Sequence, residues 1–224
     1  MIIKSINSRI FIIFSLVLLL ILVLILMIIS NKLENNKNAV LETAISQLES
    51  EKLEYIKTTE ISNGLINEYW RDREDLVEKI EIKSIDGKLV KKTIVVDSGS
   101  KAVIFDYSSV PQKNFVMEMT DNVATQNRML LKKSIFDDFK RTLSLETWKP
   151  DGKILLNNGN SYIKYYSINN SIKKVIYLDS KTKFPLKEQI YNKNELTIER
   201  EYKLIEKSDV SFDYDKSIKF KKIE

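Results

Sequence analysis

The chain has 224 residues, 36 of them Lys or Arg and 31 Asp or Glu, giving a formal net charge of +5, and it contains neither histidine nor cysteine. These absences exclude disulfides, a thiolate nucleophile, an imidazole base and the usual Cys/His zinc sites. Acidic and basic residues alternate closely, without a run of five or six like charges, which argues against a nucleic-acid partner. We therefore expect a protein that is not an enzyme and that holds neither a metal nor a cofactor.

Residues 10–29 form an apolar run in which Ser15 is the only polar residue and no charge occurs. A helix rises 1.5 Å per residue, so this run matches the hydrocarbon core of a bilayer, about 30 Å thick. The alternative is a cleavable signal peptide, but its apolar region is about 7–15 residues long and ends in small residues at a cleavage site. Here the run leads into Ser30, Asn31 and Lys32. We predict a retained transmembrane helix at residues 10–29.

The flanks of this helix indicate its orientation. Lys4 and Arg9 precede it without an acidic residue. By the positive-inside tendency, residues 1–9 form a short cytoplasmic tail and the rest of the chain lies outside the cell membrane. The prediction is a single-pass protein with an extracytoplasmic C-terminal domain.

Residues 30–57 carry apolar residues mostly at steps of three and four, with Glu and Lys between them. This spacing predicts a juxtamembrane amphipathic helix. Its apolar stripe has two interpretations, a coiled-coil dimer stalk or packing against the following sheet. We favour packing, because the repeat does not persist over several clean heptads.

Residues 58–224 are predicted to form one β-rich domain with short strands between turn signals such as Asp86-Gly87 and Ser98-Gly99-Ser100. A stripe at steps of four predicts one helix at residues 127–143. Residues 209–224 are expected to add an edge strand or to dock in extended form. The predicted strands are 61–70, 76–84, 89–97, 101–107, 154–157, 162–168, 173–179, 186–192 and 196–205. The fold class is α+β, with a curved antiparallel sheet, a half-barrel, wrapped over helices.

The last predicted strand of the meander shows the clearest alternation of apolar and polar residues. Leu196, Ile198, Tyr202 and Leu204 share one face, and the residues between them are polar. Arg200 falls on the apolar face, and the pattern gives no reason for it.

Six aromatic residues in or near the strands are candidates for an apolar ligand cavity or a partner interface, where Tyr and Trp are enriched. For any one of them, an ordinary place in the core is the simpler interpretation. The six are Phe105, Tyr107, Phe115, Trp148, Tyr165 and Tyr177.

Patterns that could carry catalysis are weak in this chain. Matches to S-x-x-K include those that begin at Ser98, Ser171 and Ser180. All three fall in predicted turns or strand starts, whereas a serine acyl-enzyme needs this spacing on a helix. The carboxylate pairs Asp137-Asp138 and Asp213 with Asp215 are typical of a solvated surface. A hydrolase with an unfamiliar site is the remaining enzymatic alternative, and no catalytic or metal-binding residue is predicted.

Residues 175–190 contain a strand that ends in a D-x-x-T-x-x-P turn, followed by a second strand and a Tyr-Asn pair. The turn is formed by Asp179, Thr182 and Pro185, and Tyr191 follows. This segment resembles the C-terminal half of LolA/LppX-like domains, and most closely that of the clostridial germination lipoprotein family GerS and its relatives. Across residues 40–220 the order of helices and strands matches more loosely.

The resemblance implies a binding function. GerS-like proteins imply an adaptor that binds a cell-envelope or spore-cortex protein, such as a peptidoglycan amidase. The wider family implies an alternative, a carrier that holds acyl chains of lipids or lipoproteins in the half-barrel. The chain departs from GerS-like lipoproteins in having no cysteine to acylate, so the apolar helix would serve as its anchor, and a span is a stronger tether than one acyl chain.

Overall fold

The computed structural model describes residues 2–155, 161–214 and 221–222. The chain divides into two compact units, Met1–Glu42 and Thr43–Glu224. Helix α1 runs without a break over Ile2–Ser50. Among the described residues, it is the one helix long and apolar enough to cross a membrane, and its side chains from Leu18 to Ile29 are all exposed.

The predicted amphipathic helix ends earlier than expected. The spacing of apolar residues predicts a helix as far as Lys57, but α1 ends at Ser50 and strand β1 begins at Leu53. The reason is tertiary pairing, because the segment Leu53–Glu60 lies between two antiparallel partner strands, Leu65–Asp72 and Glu195–Leu204. Its aromatic and β-branched residues suit such a central strand.

Twelve described strands form one sheet in the order β12-β6-β5-β4-β3-β2-β1-β11-β10-β9-β8-β7. All neighbours are antiparallel except β12 and β6. The strands are β1 Leu53–Glu60, β2 Leu65–Asp72, β3 Val77–Ser84, β4 Leu89–Val96, β5 Lys101–Asp106, β6 Lys113–Glu118, β7 Lys149–Leu155, β8 Ser161–Asn169, β9 Ile172–Asp179, β10 Pro185–Asn192, β11 Glu195–Leu204 and β12 Lys221–Lys222. The sheet is large, curved and not closed, and helices pack against it, so the predicted α+β class is confirmed.

Two strands were missed and one helix was misjudged. Sequence patterns did not indicate β1 or β6, and the single helix predicted at residues 127–143 is two helices, α2 Asp121–Lys132 and α3 Asp137–Leu145. The break follows from the extended backbone of Lys133, with ψ of 146°. Residues 156–157, 215–220 and 223–224 belong to two predicted extended segments and lie outside the described residues. Asp215, of the carboxylate pair Asp213 with Asp215, is among them.

The two faces of the sheet carry different partners. One, the helix-covered face, contains Tyr202 on β11, whose ring stacks on Phe139 of α3 at 4.6 Å and meets the edge of Phe136 at 5.9 Å. Tyr202 and Phe136 are almost completely buried. These rings fix the α2–α3 segment to the middle of the sheet.

The second face, called the opposite face, carries an apolar cluster towards the β6 end of the sheet. Ile94, Val103 and Phe105 form its buried centre, and Phe212 and Tyr214 from the C-terminal segment pack against it. The same segment then contributes β12, parallel to β6 at the sheet edge. Of the two expectations for the tail, an edge strand or docking in extended form, the described residues show an edge strand at Lys221–Lys222.

Candidate functional site

A cavity of about 540 Å³ lies on the helix-covered face, between the sheet and the α2–α3 segment. Its volume is within the range of small-molecule sites, about 300–1,000 Å³. Apolar and charged groups share its wall. The lining residues are Ile56, Thr58, Tyr69, Arg71, Glu78, Leu130, Lys133, Ser134, Ile135, Asp137, Asp138, Phe139, Arg200 and Tyr202.

Arg71 ties the end of α2 to the sheet. Its Nε donates to Glu78 Oε2 at 2.7 Å, and its Nη2 donates to the same oxygen. Its Nη1 donates to the carbonyl oxygens of Leu130 and Lys133, at 3.1 and 2.9 Å. These carbonyls lie at the C-terminal end of α2, where helix carbonyls have no partner within the helix. All three guanidinium nitrogens are therefore engaged in holding one wall of the cavity.

Glu54 binds the segment that connects α2 to α3. Its side chain is fully buried, and its Oε2 accepts a hydrogen bond from the backbone N–H of Ile135 at 2.8 Å. Arg73 Nε lies 3.0 Å from Oε1 but without hydrogen-bond alignment, so both atoms remain buried without a hydrogen bond. Burial raises the pKa of the Glu54 carboxyl above its usual value, although Ser134, Ile135 and Arg73 act against it.

The unexplained Arg200 forms an ion pair with a buried carboxylate. Its Nη1 donates to Glu188 Oε2 at 2.6 Å, and the Tyr202 hydroxyl donates to the same oxygen at 3.2 Å. Glu188 is almost fully buried, whereas a third of the Arg200 side chain is exposed. Burial raises the pKa of the Tyr202 hydroxyl well above its ordinary value, so it stays a donor. The arginine interrupts the apolar face because its partner on β10 is a buried carboxylate.

The turn motif that carries the family resemblance is a structural cap. Asp179 Oδ1 accepts hydrogen bonds from the backbone N–H groups of Lys181 and Thr182, both at 2.8 Å, and from the Thr182 hydroxyl at 3.1 Å. The Thr182 N–H is the main cause that lowers the pKa of Asp179. Pro185 starts β10 and is buried, and the Tyr191 hydroxyl donates to Gln189 at 3.0 Å. The Asp179 contacts close the β9–β10 connection, whereas the Tyr191–Gln189 bond lies within β10.

The structure does not bring the six candidate aromatic residues together at the cavity. Phe105 belongs to the opposite-face cluster, stacked on the part-exposed Tyr107 at 6.4 Å between centroids, and Phe115 is half-buried on β6. Trp148 and Tyr165 are buried. A ligand or partner role for any of the six stays a prediction.

Tyr177 is half-buried on β9 and donates to Gln189 at 3.0 Å. It lines a second hollow of about 560 Å³, together with Ile154, Tyr162 and Lys187 among others. None of the six aromatic residues lines the cavity between the sheet and helices.

Sequence reasoning missed the charged residues that shape the cavity. Glu54, Arg71 and Glu188 look like ordinary strand residues in a Lys- and Glu-rich chain, and their partners lie on other strands or helices. Among the charged residues of the cavity, Arg200 alone was noticeable in the sequence, because it interrupts the apolar face of β11.

Comparison with known proteins supports the fold. No protein-family model and no curated protein sequence matches the chain. Its structure is similar to that of LprF from Mycobacterium bovis, with a TM-score of 0.51 and 7% identity over 75% of this chain and 92% of LprF.

Two further solved structures are more distant. A conserved, uncharacterized protein from Thermus thermophilus has a TM-score of 0.43 and 10% identity over 83% of this chain and 98% of its own. MucB, solved in complex with MucA(peri), has a TM-score of 0.36 and 16% identity over 75% of this chain and 53% of its own. Of the three, LprF alone is similar enough to support the fold, which is consistent with a LolA/LppX-like domain.

Proposed function

We propose that this protein is a membrane-tethered binding protein, whose β-rich domain engages its partner outside the cell membrane through the cavity on the helix-covered face. The observation that carries the proposal is the cavity of about 540 Å³ held open between sheet and helices. The ion-paired residues Arg71, Glu78 and Arg200 line it, and because buried ion pairs contribute less stability than apolar packing of similar volume, these charges favour a role in binding.

The finer identity of the partner comes from the resemblance to GerS-like proteins. A cell-envelope or spore-cortex protein, such as a peptidoglycan amidase, is the partner that this resemblance implies. The mixed lining of the cavity favours an amphipathic protein segment over a purely apolar one, because a charged group facing hydrocarbon loses its hydration.

A second candidate is a carrier of acyl chains. The cavity volume favours it, since a few hundred Å³ beneath the sheet is the space that such a ligand requires. The charged lining argues against a ligand that is hydrocarbon alone.

Native mass spectrometry of the full chain, released from its own membranes in mild detergent, separates the candidates. A stoichiometric protein partner with no small adduct supports the adaptor. A retained adduct of lipid mass supports the carrier. A bare monomer under all release conditions contradicts both.

The membrane arrangement has its own test. In protoplasts of the source cells, the protein is expected to resist alkaline carbonate extraction and to lose its β-rich domain to external protease. Recovery of a soluble chain without its first thirty residues would contradict the anchor, and protection of the domain from protease would contradict the orientation.

A further inference from the structure

Arg200 reaches the cavity with hydrogen-bonding capacity to spare. A guanidinium carries five N–H donors. In the described part of the chain, Nη1 donates to Glu188, and the Tyr202 hydroxyl is the other hydrogen-bonding neighbour of the guanidinium, so part of the donor set is unused. Arg71 differs, because all three of its guanidinium nitrogens already donate to protein oxygens.

The other charges of the cavity largely cancel. Asp137 pairs with Lys140 at 2.7 Å, and Asp138 pairs with Arg141 at 2.9 Å. Arg71 pairs with Glu78 and Arg200 with Glu188. Among the described lining residues, Lys133 is the one charged side chain without an ion pair, and it is exposed. The lining itself holds three basic and three acidic side chains, and when the ion-pair partners Lys140, Arg141 and Glu188 are included, Lys133 is the one charge left over.

Apolar groups lie in the same wall as Arg200. Ile56, Tyr69, Ile135 and Phe139 all line the cavity. In the sheet, Thr58 lies opposite Arg200, and Ile56 lies opposite Tyr202. A ligand bound there would meet both a guanidinium and apolar side chains.

We propose that the cavity binds an organic carboxylate with an apolar body, and that Arg200 is its specificity-determining residue. The carboxylate accepts hydrogen bonds from the remaining donors of Arg200, whose planar fork matches two carboxylate oxygens. Glu188, on the buried side, holds the guanidinium in place. Lys133 adds attraction from the rim. The inference rests on the cavity of the proposed function and specifies its ligand chemistry.

The test uses the full chain in amphipathic polymer and three water-soluble probes of one chain length, octanoate, octan-1-ol and octylammonium, followed by calorimetry. The proposal predicts that octanoate binds about tenfold more tightly than octan-1-ol, as one charge-assisted hydrogen bond provides. Octylammonium is expected to bind most weakly. Equal binding of octanoate and octan-1-ol would overturn the proposal, and this comparison needs no variant.

Variants assign the preference to Arg200. The double variant Glu188→Gln/Arg200→Gln removes the pair without leaving a lone buried charge, and its preference for octanoate over octan-1-ol should fall to the small remainder that Lys133 supplies. The matched control, Glu188→Gln alone, keeps the guanidinium and should keep the preference for octanoate. Full retention of that preference in the double variant, with an unchanged near-UV circular dichroism spectrum, would overturn the assignment.

Failure of this inference is distinguishable from failure of the proposed function. If octanoate shows no preference while native mass spectrometry still retains a partner, the ligand chemistry is wrong and the binding function stands. If the partner is absent but octanoate binds through Arg200, the adaptor function is wrong and the cavity is a small-molecule site.

Discussion

Two clusters on opposite faces of the sheet bury different kinds of side chain. On the opposite face, Ile94, Val103 and Phe105 form a purely apolar cluster beneath the C-terminal segment. On the helix-covered face, aromatic packing around Tyr202 is interrupted by the buried carboxylates Glu54 and Glu188. Buried ion pairs contribute less stability than apolar packing of similar volume. Here Glu54 accepts a hydrogen bond from Ile135 in the α2–α3 segment, and Glu188 pairs with Arg200 in the cavity wall, so both carboxylates lie next to the cavity.

The largest effect is expected from removing the aromatic packing of the helix-covered face. Phe139→Ala deletes a ring that stacks on Tyr202 at 4.6 Å and should lower the free energy of unfolding by about 3–4 kcal/mol. On the opposite face, Val103→Ala removes less buried surface and should cost about 1–2 kcal/mol. Urea denaturation of both variants measures the difference. Equal losses would show that α3 is not the main cover of the sheet.

The ion pair between Arg200 and Glu188 provides the second comparison. Arg200→Gln leaves the buried Glu188 carboxylate with neutral donors and no positive partner, so we expect a loss of about 3 kcal/mol in the free energy of unfolding. The double variant Glu188→Gln/Arg200→Gln should lie within about 1 kcal/mol of the wild type, because no uncompensated charge remains. Denaturation at neutral pH tests both. If the double variant loses as much as the single one, the pair is a packing element rather than a device that shapes the cavity.

Substitution of Gly99 tests how closely α2 packs against this residue. Its φ is +88°, and an added Cβ would lie 2.9 Å from Asn127 Cβ and 3.1 Å from the backbone nitrogen of Arg128, both in α2. Gly99→Ala should therefore cost about 2 kcal/mol or more, from left-handed strain and from the clash. Gly87→Ala is the matched control, since φ is +85° and nothing lies within 4 Å, and it should cost about 1 kcal/mol. Similar melting temperatures for the two variants would contradict close seating of α2.

The smallest expected effect is a change of stability with pH. Its sign is opposite for variants at two carboxyl groups, Glu54 and Asp72. The pKa of Glu54 is raised by burial, so its folded form holds the proton more tightly than the unfolded chain does. The advantage of Glu54→Gln over the wild type should therefore be greatest at neutral pH. It should shrink as pH falls through the raised pKa towards the unfolded value, about 4.3.

Asp72→Asn is the control for this dependence. Burial acts to raise the pKa of Asp72, but the backbone N–H groups of Asp75 and Glu74, together with Lys207, lower it overall. Its stabilising contribution is present above the unfolded pKa and is lost as pH falls through the lowered one. The advantage of the wild type over Asp72→Asn should therefore shrink in acid. The same sign of change for both variants would contradict the assigned environments.

Much of the fold was predictable from periodicity, and most of the cavity was not. The alternation of Leu196, Ile198 and Tyr202 predicted β11, and the turn at Asp179 predicted the β9–β10 connection. These signals are local in sequence. The break between α2 and α3 was missed because it depends on Arg71 and Glu54, which lie 59 and 81 residues from the backbone groups they bind. The end of α1 was likewise set by pairing of β1, on one side with the following strand β2 and on the other with the distant strand β11.

The most direct test of the account is site-specific photocrosslinking in the source cells. A benzophenone side chain placed at Lys133, on the rim of the cavity, is expected to trap a discrete partner or ligand. The same group at Ile85, an exposed residue in the β3–β4 connection, should trap none. Crosslinking at position 133 alone is the result that the account predicts. Equal crosslinking at both positions, or none at position 133, would contradict binding through the helix-covered face.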